Sequence, residues 1–377
     1  MIKVVVDIRD LQIATTGTKT FLEALCKEFK NGHSGFQFYF LSPKSKPYTG
    51  TNKILKIKEH LLFFIWKQIQ LPYLAYRLKA NIVFCSDYFV PYLQLGFTTI
   101  PVFHDAFFKE YPTHYNRWWL QIFNTIGLGA AKRAAFIVTP TQYALETIHQ
   151  QYHLDKNKTR VIYEAGKETA IETNTTTFFE SEWFTKLKKK EYILHVGTYD
   201  KRKNIPRLIE GFAQLAQQNE YAHLKLVLVG ASANKINSND TEEIHQCIQS
   251  LQLGNKVVQT GYVADNELAH FYQNALLYVF PSINEGFGLP VLEAFKYEVP
   301  VLIANNTCLP EVAGNAALSF DPLDVNDMVV KMKEVIDSPV LKKKMIALGL
   351  ERLQFFSWQK TTGLLLAVFK EAVKEKL

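Results

Sequence analysis

The sequence predicts an α/β protein built as two successive halves, each a parallel sheet covered by helices. Short apolar runs rich in β-branched and aromatic residues recur along the chain, at 2–8, 192–197 and 276–280 among others. Each stops at a polar, proline or glycine turn before an amphipathic stretch. Strand followed by helix, repeated in both halves, is the order that a parallel sheet with helices packed on it requires. A Thr-rich and then Lys-rich stretch, 168–190, breaks the pattern and reads as a linker by composition. With 377 residues, 47% of them hydrophobic and 21% charged, the chain has material for two cores.

In the first half, strand 2–8 leads through Gly17 into an amphipathic helix containing Leu25 and Phe29. A glycine turn before a helix N-terminus suits an anion, but a single glycine is not the dinucleotide fingerprint G-x-G-x-x-G, which disfavours a nicotinamide dehydrogenase. Residues 36–42 alternate as a second strand. The aromatic and basic stretch 61–79 reads as a helix pair covering the sheet with its basic residues solvated, and the same composition also suits a membrane surface. Strands follow at 82–85 and 98–103, the latter ending in His104-Asp105. One long helix around 118–131 leads to a strand at 136–139, and 160–166 closes the half.

The second half opens with strand 192–197, followed by Thr198 and the cations Arg202 and Lys203 before a helix with Leu208, Ile209 and Phe212. Cations after a strand end suit a diphosphate, arginine as a planar fork and lysine as a point charge. Further strands are expected at 225–230, 257–263 and 299–303, a helix with an acidic first turn from Asp265, and a last amphipathic helix capped by Ser357.

The stretch 281–293, P-S-I-N-E-G-F-G-L-P-V-L-E, organises this half. It follows the buried strand 276–280; Gly286 and Gly288 free the turn, and Pro290 suits the first position of the next helix. Glu285 and Glu293 stand eight positions apart at a strand's carboxyl end, where loop amides and a helix N-terminus favour anions. Two carboxylates beside a phosphate pocket are suited to vicinal hydroxyls, and a ligand with central phosphates and diols at both ends is a sugar nucleotide.

The spacing E-G-F-G-L-P-V-L-E closely resembles the EX7E signature of retaining glycosyltransferases of family 4. That resemblance implies the GT-B fold: two Rossmann-like domains facing across a cleft, with a C-terminal helix crossing back to the N-terminal domain. It implies an acceptor-binding domain at 1–167, a linker at 168–190, a nucleotide-sugar domain at 191–356 and the returning helix at 357–377. Carried over by position, Glu285 meets the donor sugar and Glu293 the ribose, with Gly286, Phe287, Gly288 and Leu289 between them. Arg202 and Lys203, in a segment like V-G-T-x-x-x-R-K-N, meet the leaving diphosphate. Gly261 and Tyr262 match a G-Y-V turn beside the nucleobase, His104 matches a His-Asp dipeptide reaching the sugar, and Gly17 lies in the family's N-terminal loop. The sequence departs from the pattern at Lys19, at Thr198 where other members have an arginine, and at Glu298 where glycine is typical. The R-K-N variant resembles bacterial enzymes that build surface polysaccharide, often mannosyltransferases.

The expected chemistry is transfer of a hexose with retention, GDP-mannose being the first donor to try and a saccharide or lipid-linked saccharide the acceptor. No clear D-x-D pair is present, so no metal and no cofactor are expected. A non-hydrolysing sugar-nucleotide epimerase and a catalytically silent sugar-nucleotide binder remain open. No apolar run reaches the length of a membrane span, and charge from Lys3 onward breaks the N-terminus too early for a secretory signal. The four cysteines form no C-x-x-C pair, so reduced thiols in a cytoplasm are expected. Residues 1–167 hold 21 Lys+Arg against 11 Asp+Glu, a balance of +10, and the remainder 22 against 25, a balance of −3. A basic first half suits a phosphorylated acceptor or peripheral contact with the inner face of an anionic membrane; nothing resembles a nucleic-acid module.

Overall fold

The structure is a computed structural model that describes every residue except 15, 16, 46, 49, 51, 168–186, 232–238, 376 and 377, and only the backbone of Lys53 and His114. It comprises two compact units, Met1–Ala165 with Phe356–Leu377, and Gly166–Phe355. The expected linker lies outside the described residues apart from 187–190, where Leu187 is buried and Lys190 donates its N–H to Asn274 O at 2.8 Å.

Unit 1 holds a parallel sheet of β1 (Ile2–Asp7), β2 (Phe36–Leu41), β3 (Ile82–Cys85) and β4 (Thr98–Pro101) in the order β2-β1-β3-β4. A parallel bridge from Val102 to Val138 links it to the pair β5 (Ile137–Thr139) and β6 (Thr159–Val161). Val4, Val5, Val6, Ile82, Val83 and Phe84 are fully buried because both faces of the central strands are covered, as continuous apolar runs require. Helix Gly17–Lys30 buries Phe21, Leu22, Leu25 and Phe29. The last helix, Trp358–Lys374, starts where Ser357 Oγ accepts from the Lys360 N–H (3.2 Å) and packs in the same core. Its Thr361 hydroxyl donates to Tyr163 O (2.7 Å), and its Phe369 ring lies 6.2 Å from Phe29 and 5.6 Å from Phe84.

Of two helical expectations for this unit, the first holds with a π-turn added and the second needs correction. The helix expected around 118–131 is a run of Arg117–Ile122 and Leu128–Lys132 joined by a π-turn at Phe123–Gly127, where a Cβ on Gly127 would meet the Phe123 ring at 2.9 Å. The stretch at 61–79 belongs to a longer run, Lys53–Ile65 and Leu71–Arg77 with a π-turn at Trp66–Gln70, and its basic residues are not all solvated. Lys67 is 1% exposed and its Nζ sits 2.7 Å from Asp7 and 2.6 Å from Asp87, both at strand carboxyl ends. Those two carboxylates keep the ammonium protonated against burial and raise its pKa well above the ordinary value.

Unit 2 is a six-stranded parallel sheet of β7 (Tyr192–Val196), β8 (Lys225–Val229), β9 (Val257–Gly261), β10 (Leu277–Phe280), β11 (Val301–Ala304) and β12 (Leu318–Phe320). Their order is β12-β11-β10-β7-β8-β9, so the direction of winding reverses between β7 and β10, where open α/β sheets bind ligands. Gly230, just past β8, has φ +143°, and a Cβ there would lie 1.8 Å from Gly197 O; only glycine lets this backbone pass against the corner that follows β7.

Glu298 occupies the left-handed region at φ +57° just past helix Leu289–Lys296, which explains why glycine is typical there. Its side chain is exposed and makes none of the hydrogen bonds or ion pairs seen among the described residues. Glu298→Gly is therefore expected to raise the unfolding free energy by about 1 kcal/mol, read from urea unfolding of both proteins.

Candidate functional site

The carboxyl ends of β7 and β10 carry the corner 197–203 and the loop 281–288. Asp200 opens the short turn Lys201–Lys203 by accepting from the Arg202 N–H at 3.2 Å, and Asn204 ends it in the left-handed region. The Asn204 amide, buried at that bend, donates to Pro281 O (3.1 Å) and Pro322 O (2.8 Å), fastening the corner to the loop. Ile283 N–H donates to Arg202 O at 2.8 Å, and Ser282 Oγ lies 3.0 Å from the same oxygen.

This fastening brings three predicted residues together. Glu285 accepts from Lys203 Nζ on Oε1 (2.5 Å) and from Arg202 Nη1 on Oε2 (2.9 Å). Ser282 Oγ, which also reaches Arg202 O, donates to Glu285 Oε1 at 2.6 Å. The Lys203 ammonium lies 4.8 Å from the centre of the Phe280 ring. Glu285 and Lys203 are buried, and Arg202 is partly exposed. Burial would raise the Glu285 pKa, but Arg202 and Lys203 outweigh it and hold the carboxyl at about 2. Burial pulls the Lys203 ammonium below its usual range, with Glu285 opposing.

The loop is held from behind. Cys308 Sγ–H lies 3.2 Å from both Glu285 O and Phe287 O, and Asn306 Nδ2 donates to Ile283 O (3.1 Å). Gly288 has φ +105° and begins helix Leu289–Lys296, in which Pro290 is the second residue rather than the first. Gly286 is partly exposed, while Phe287 and Leu289 are buried.

Glu293 lies on that helix, partly buried, and accepts from the Tyr272 hydroxyl on Oε2 at 3.1 Å. Burial raises its pKa, with Lys167 opposing. It lines a small cavity with Lys167, Asp265, Tyr272, Lys296 and Tyr297, where Lys167 Nζ pairs with Asp265 Oδ1 at 2.7 Å. The buried Tyr278 side chain is in electrostatic reach of both Glu285 and Glu293. Gly261 has φ +71° at the end of β9, Tyr262 beyond it is 81% exposed, and Thr198 is partly exposed beside the 200–203 turn.

In unit 1, His104 follows the Val102 bridge; its Nδ1 is 3.1 Å from Glu164 Oε1 and its Nε2 is 3.0 Å from Ser86 O. Burial presses its pKa down, but Glu164, the Ser86 carbonyl and Asp105 carry it above the ordinary value. Two acceptors on two ring nitrogens suit an imidazolium. Asp105 accepts from Tyr88 OH (2.5 Å) and the Phe107 N–H (3.0 Å), which fixes the loop. Gly17 opens its helix, next to residues outside the description.

Sequence reasoning assigned no role to Asn204, the last residue of the R-K-N motif, and missed Ser282, Cys308 and Tyr272, whose types carry no local signal. It also passed over His195, fully buried in β7 with Nδ1 3.1 Å from Val279 O; burial takes its pKa to about 4 and leaves it neutral. Among the described residues, no group of His, Cys, Asp and Glu is placed to hold a metal ion, and no helix is long and apolar enough to cross a membrane.

Comparison with known proteins bears on the family and the fold. Residues 178–352 match the family described as glycosyl transferases group 1, and residues 15–165 match Glycosyltransferase Family 4. Curated relatives include the O-antigen chain mannosyltransferase B of Escherichia coli, 32% identical over 48% of this chain and 45% of its own length. Another is the serotype-specific mannosyltransferase WbdA of the same species, 30% identical over 64% of this chain and 29% of its own length. The chain thus spans less than half the length of these two relatives. Among solved structures, sucrose-phosphate synthase from Thermosynechococcus elongatus superposes with TM-score 0.76 at 16% identity, covering 98% of this chain and 99% of that one. Anabaena HepE in complex with UDP-glucose gives 0.72 at 16%, covering 98% and 100%; both likenesses concern the fold.

The ionic trio makes acid stability a readout of the site. Glu285, at about 2 in the folded chain against an ordinary 4.5, contributes stability that is fully present above pH 4.5 and is lost as pH falls toward 2. Glu285→Gln should remove about 3 kcal/mol of that acid-dependent stability, measured by denaturant unfolding of both proteins across that range.

Proposed function

Because this chain belongs to the glycosyltransferases of group 1 and family 4, its two matched regions together covering most of its length, we propose that it transfers a hexose from a nucleotide-diphosphate sugar to a saccharide acceptor, with retention at the anomeric carbon. The observation that carries the reading is Glu285 shared between Arg202 and Lys203 where the strand order of unit 2 reverses. Arg202 and Lys203 share Glu285, and Asp200 stands 3.7 Å from Arg202 Nε, so the site suits a diphosphate only if its internal counter-ion Glu285 can turn to another partner. When the diphosphate takes over Arg202 and Lys203, Glu285 is released to accept the hydroxyls of the sugar attached to it. Glu293, tethered on one oxygen by Tyr272, keeps acceptor capacity for the vicinal hydroxyls of the ribose.

The bond from the anomeric carbon to the diphosphate oxygen breaks and its electron pair leaves with the phosphate. The acceptor hydroxyl adds from the same face, and its proton passes to the departing phosphate oxygen. Stabilising that oxygen is the main catalytic task, and the assigned groups are Arg202, Lys203 and the amides of Gly288 and Leu289 at the start of the helix. We assign His104, as a cation, to the donor sugar, and Gly261 and Tyr262 to the nucleobase. In this reading the transfer needs no metal. GDP-mannose is the donor to test first, since curated relatives are named as mannosyltransferases, two of them as O-antigen chain mannosyltransferases, and a lipid-linked saccharide is the acceptor to pair with it.

Thermal shifts with UDP, GDP, dTDP and ADP, followed by turnover of GDP-mannose in excess chelator, test the reading. GDP is expected to stabilise most, chelator to leave the rate unchanged, and Lys203→Met to lower kcat by about 10²–10³-fold. Epimerised donor, or binding without turnover when a validated acceptor is present, would overturn transfer. A rate lost in chelator and restored by Mg²⁺ or Mn²⁺ would overturn metal independence.

A further inference from the structure

The helical run from Lys53 to Arg77 in unit 1 turns only one face to the core. Phe63, Trp66, Lys67, Leu71 and Ala75 are buried. The opposite face is apolar where a surface helix is ordinarily polar. Ile54 (77% exposed), Ile57 (69%), Leu61 (60%), Ile69 (62%), Tyr73 (52%) and Tyr76 (60%) recur along it at steps of three, four or eight residues. At about 1.5 Å per residue the stripe is roughly 35 Å long, longer than the few turns a helix uses to fill a groove.

Neighbouring elements continue it. The Trp119 ring lies 5.1 Å from the His60 ring, which sets Trp118, 79% exposed and next in sequence to Trp119, beside the first half of the run. Gln68 donates to Val90 O (3.1 Å) and accepts from the Tyr92 N–H (2.9 Å), which brings the exposed Tyr92 and Leu93 beside the second half.

Charge decides what covers this face. Between Leu41 and Asp87 the sequence has eight Lys and Arg and a single acid, Glu59. Glu59 is turned inward, accepting from Arg9 Nη2 (2.6 Å) and the Tyr48 N–H (3.0 Å), and Lys67 is buried with its two aspartates. What remains outward is cationic: Lys56, Lys58, Arg77 and Lys79 are all exposed. A second copy of the chain would set these cations against their own kind. A continuous apolar stripe with interfacial Trp and Tyr, flanked by lysines and without outward acids, has the composition of a helix lying in the plane of a bilayer.

We propose that this face of unit 1 docks on an anionic lipid surface, with the Ile54–Tyr76 stripe at the acyl boundary and Lys56, Lys58, Arg77 and Lys79 among the headgroups. The inference does not depend on the proposed sugar transfer, because it concerns one face of one unit and is read without substrate.

Co-sedimentation of the full chain with phosphatidylcholine vesicles, with and without phosphatidylglycerol, tests it. Binding is expected to the anionic vesicles, weakening as salt is raised. Ile57→Ser with Leu61→Ser should weaken it about tenfold or more, and Lys56→Glu with Lys58→Glu at least as much. All four positions are exposed, so the thermal midpoint should not move, and an unchanged midpoint shows that lost binding is not lost folding. Equal binding to neutral and anionic vesicles would overturn the proposal, as would variants that bind like the parent chain. Mass doubling in solution that the Ile57→Ser, Leu61→Ser variant abolishes would assign the face to a second copy instead, and capture of an acidic protein with no affinity for vesicles would assign it to a protein partner.

Discussion

A single carboxylate holds the candidate site together. Glu285 is buried, and burial alone would make its charge expensive; it stays ionised because Lys203 and Arg202 divide its two oxygens and Ser282 adds a third donor. The same contacts tie the corner after β7 to the loop after β10, the two segments where the winding of the sheet reverses. Without Glu285, the buried Lys203 would lose its ion-pair partner and Arg202 would keep only the longer pairing with Asp200, at 3.7 Å. Asn204 and Cys308 brace the same two segments through backbone carbonyls, so the geometry of the trio does not rest on side-chain charge alone.

Much of this was legible in the chain itself. The strands are apolar β-branched runs that end at turns, because both faces of a parallel sheet are covered, and the E-x7-E spacing named both acids. What local pattern does not carry is contact. Lys203 and Arg202 meet Glu285 across 82 and 83 positions, a distance at which only the fold decides who touches whom. The Tyr272 hydroxyl on Glu293 and the left-handed backbone of Asn204 are likewise products of the fold. Lys67 was misread for the same reason: a lysine in an apolar helix is ordinarily solvated, and only Asp7 at the end of β1 and Asp87 just past β3 offset the cost of its burial. The two π-turns left no mark either, since they depend on how wide a turn the facing side chains need rather than on propensity.

The unequal charge of the two halves takes a physical form in the structure. The excess of cations in the first half is concentrated between the second and third strands, where Lys67 is drawn inside an ion network while Lys56, Lys58, Arg77 and Lys79 are exposed. In unit 2 the cations that matter are neutralised locally by Glu285 and Asp265. One unit therefore presents charge over a broad surface, while the other keeps it in matched pairs at strand ends.

The chain leaves unit 1 at Ala165 and rejoins it at Phe356, so unit 2 is continuous while unit 1 is assembled from two distant segments. On the ribosome, where growth runs at about 5–20 residues per second, every strand of the second unit emerges before the first unit receives Trp358 and Phe369. Until then Phe29 and Phe84 lack the aromatic ring that later packs against both. All strands of the later-encoded unit are thus made before the earlier unit receives its last helix, and until then the earlier one keeps apolar surface open to chaperones.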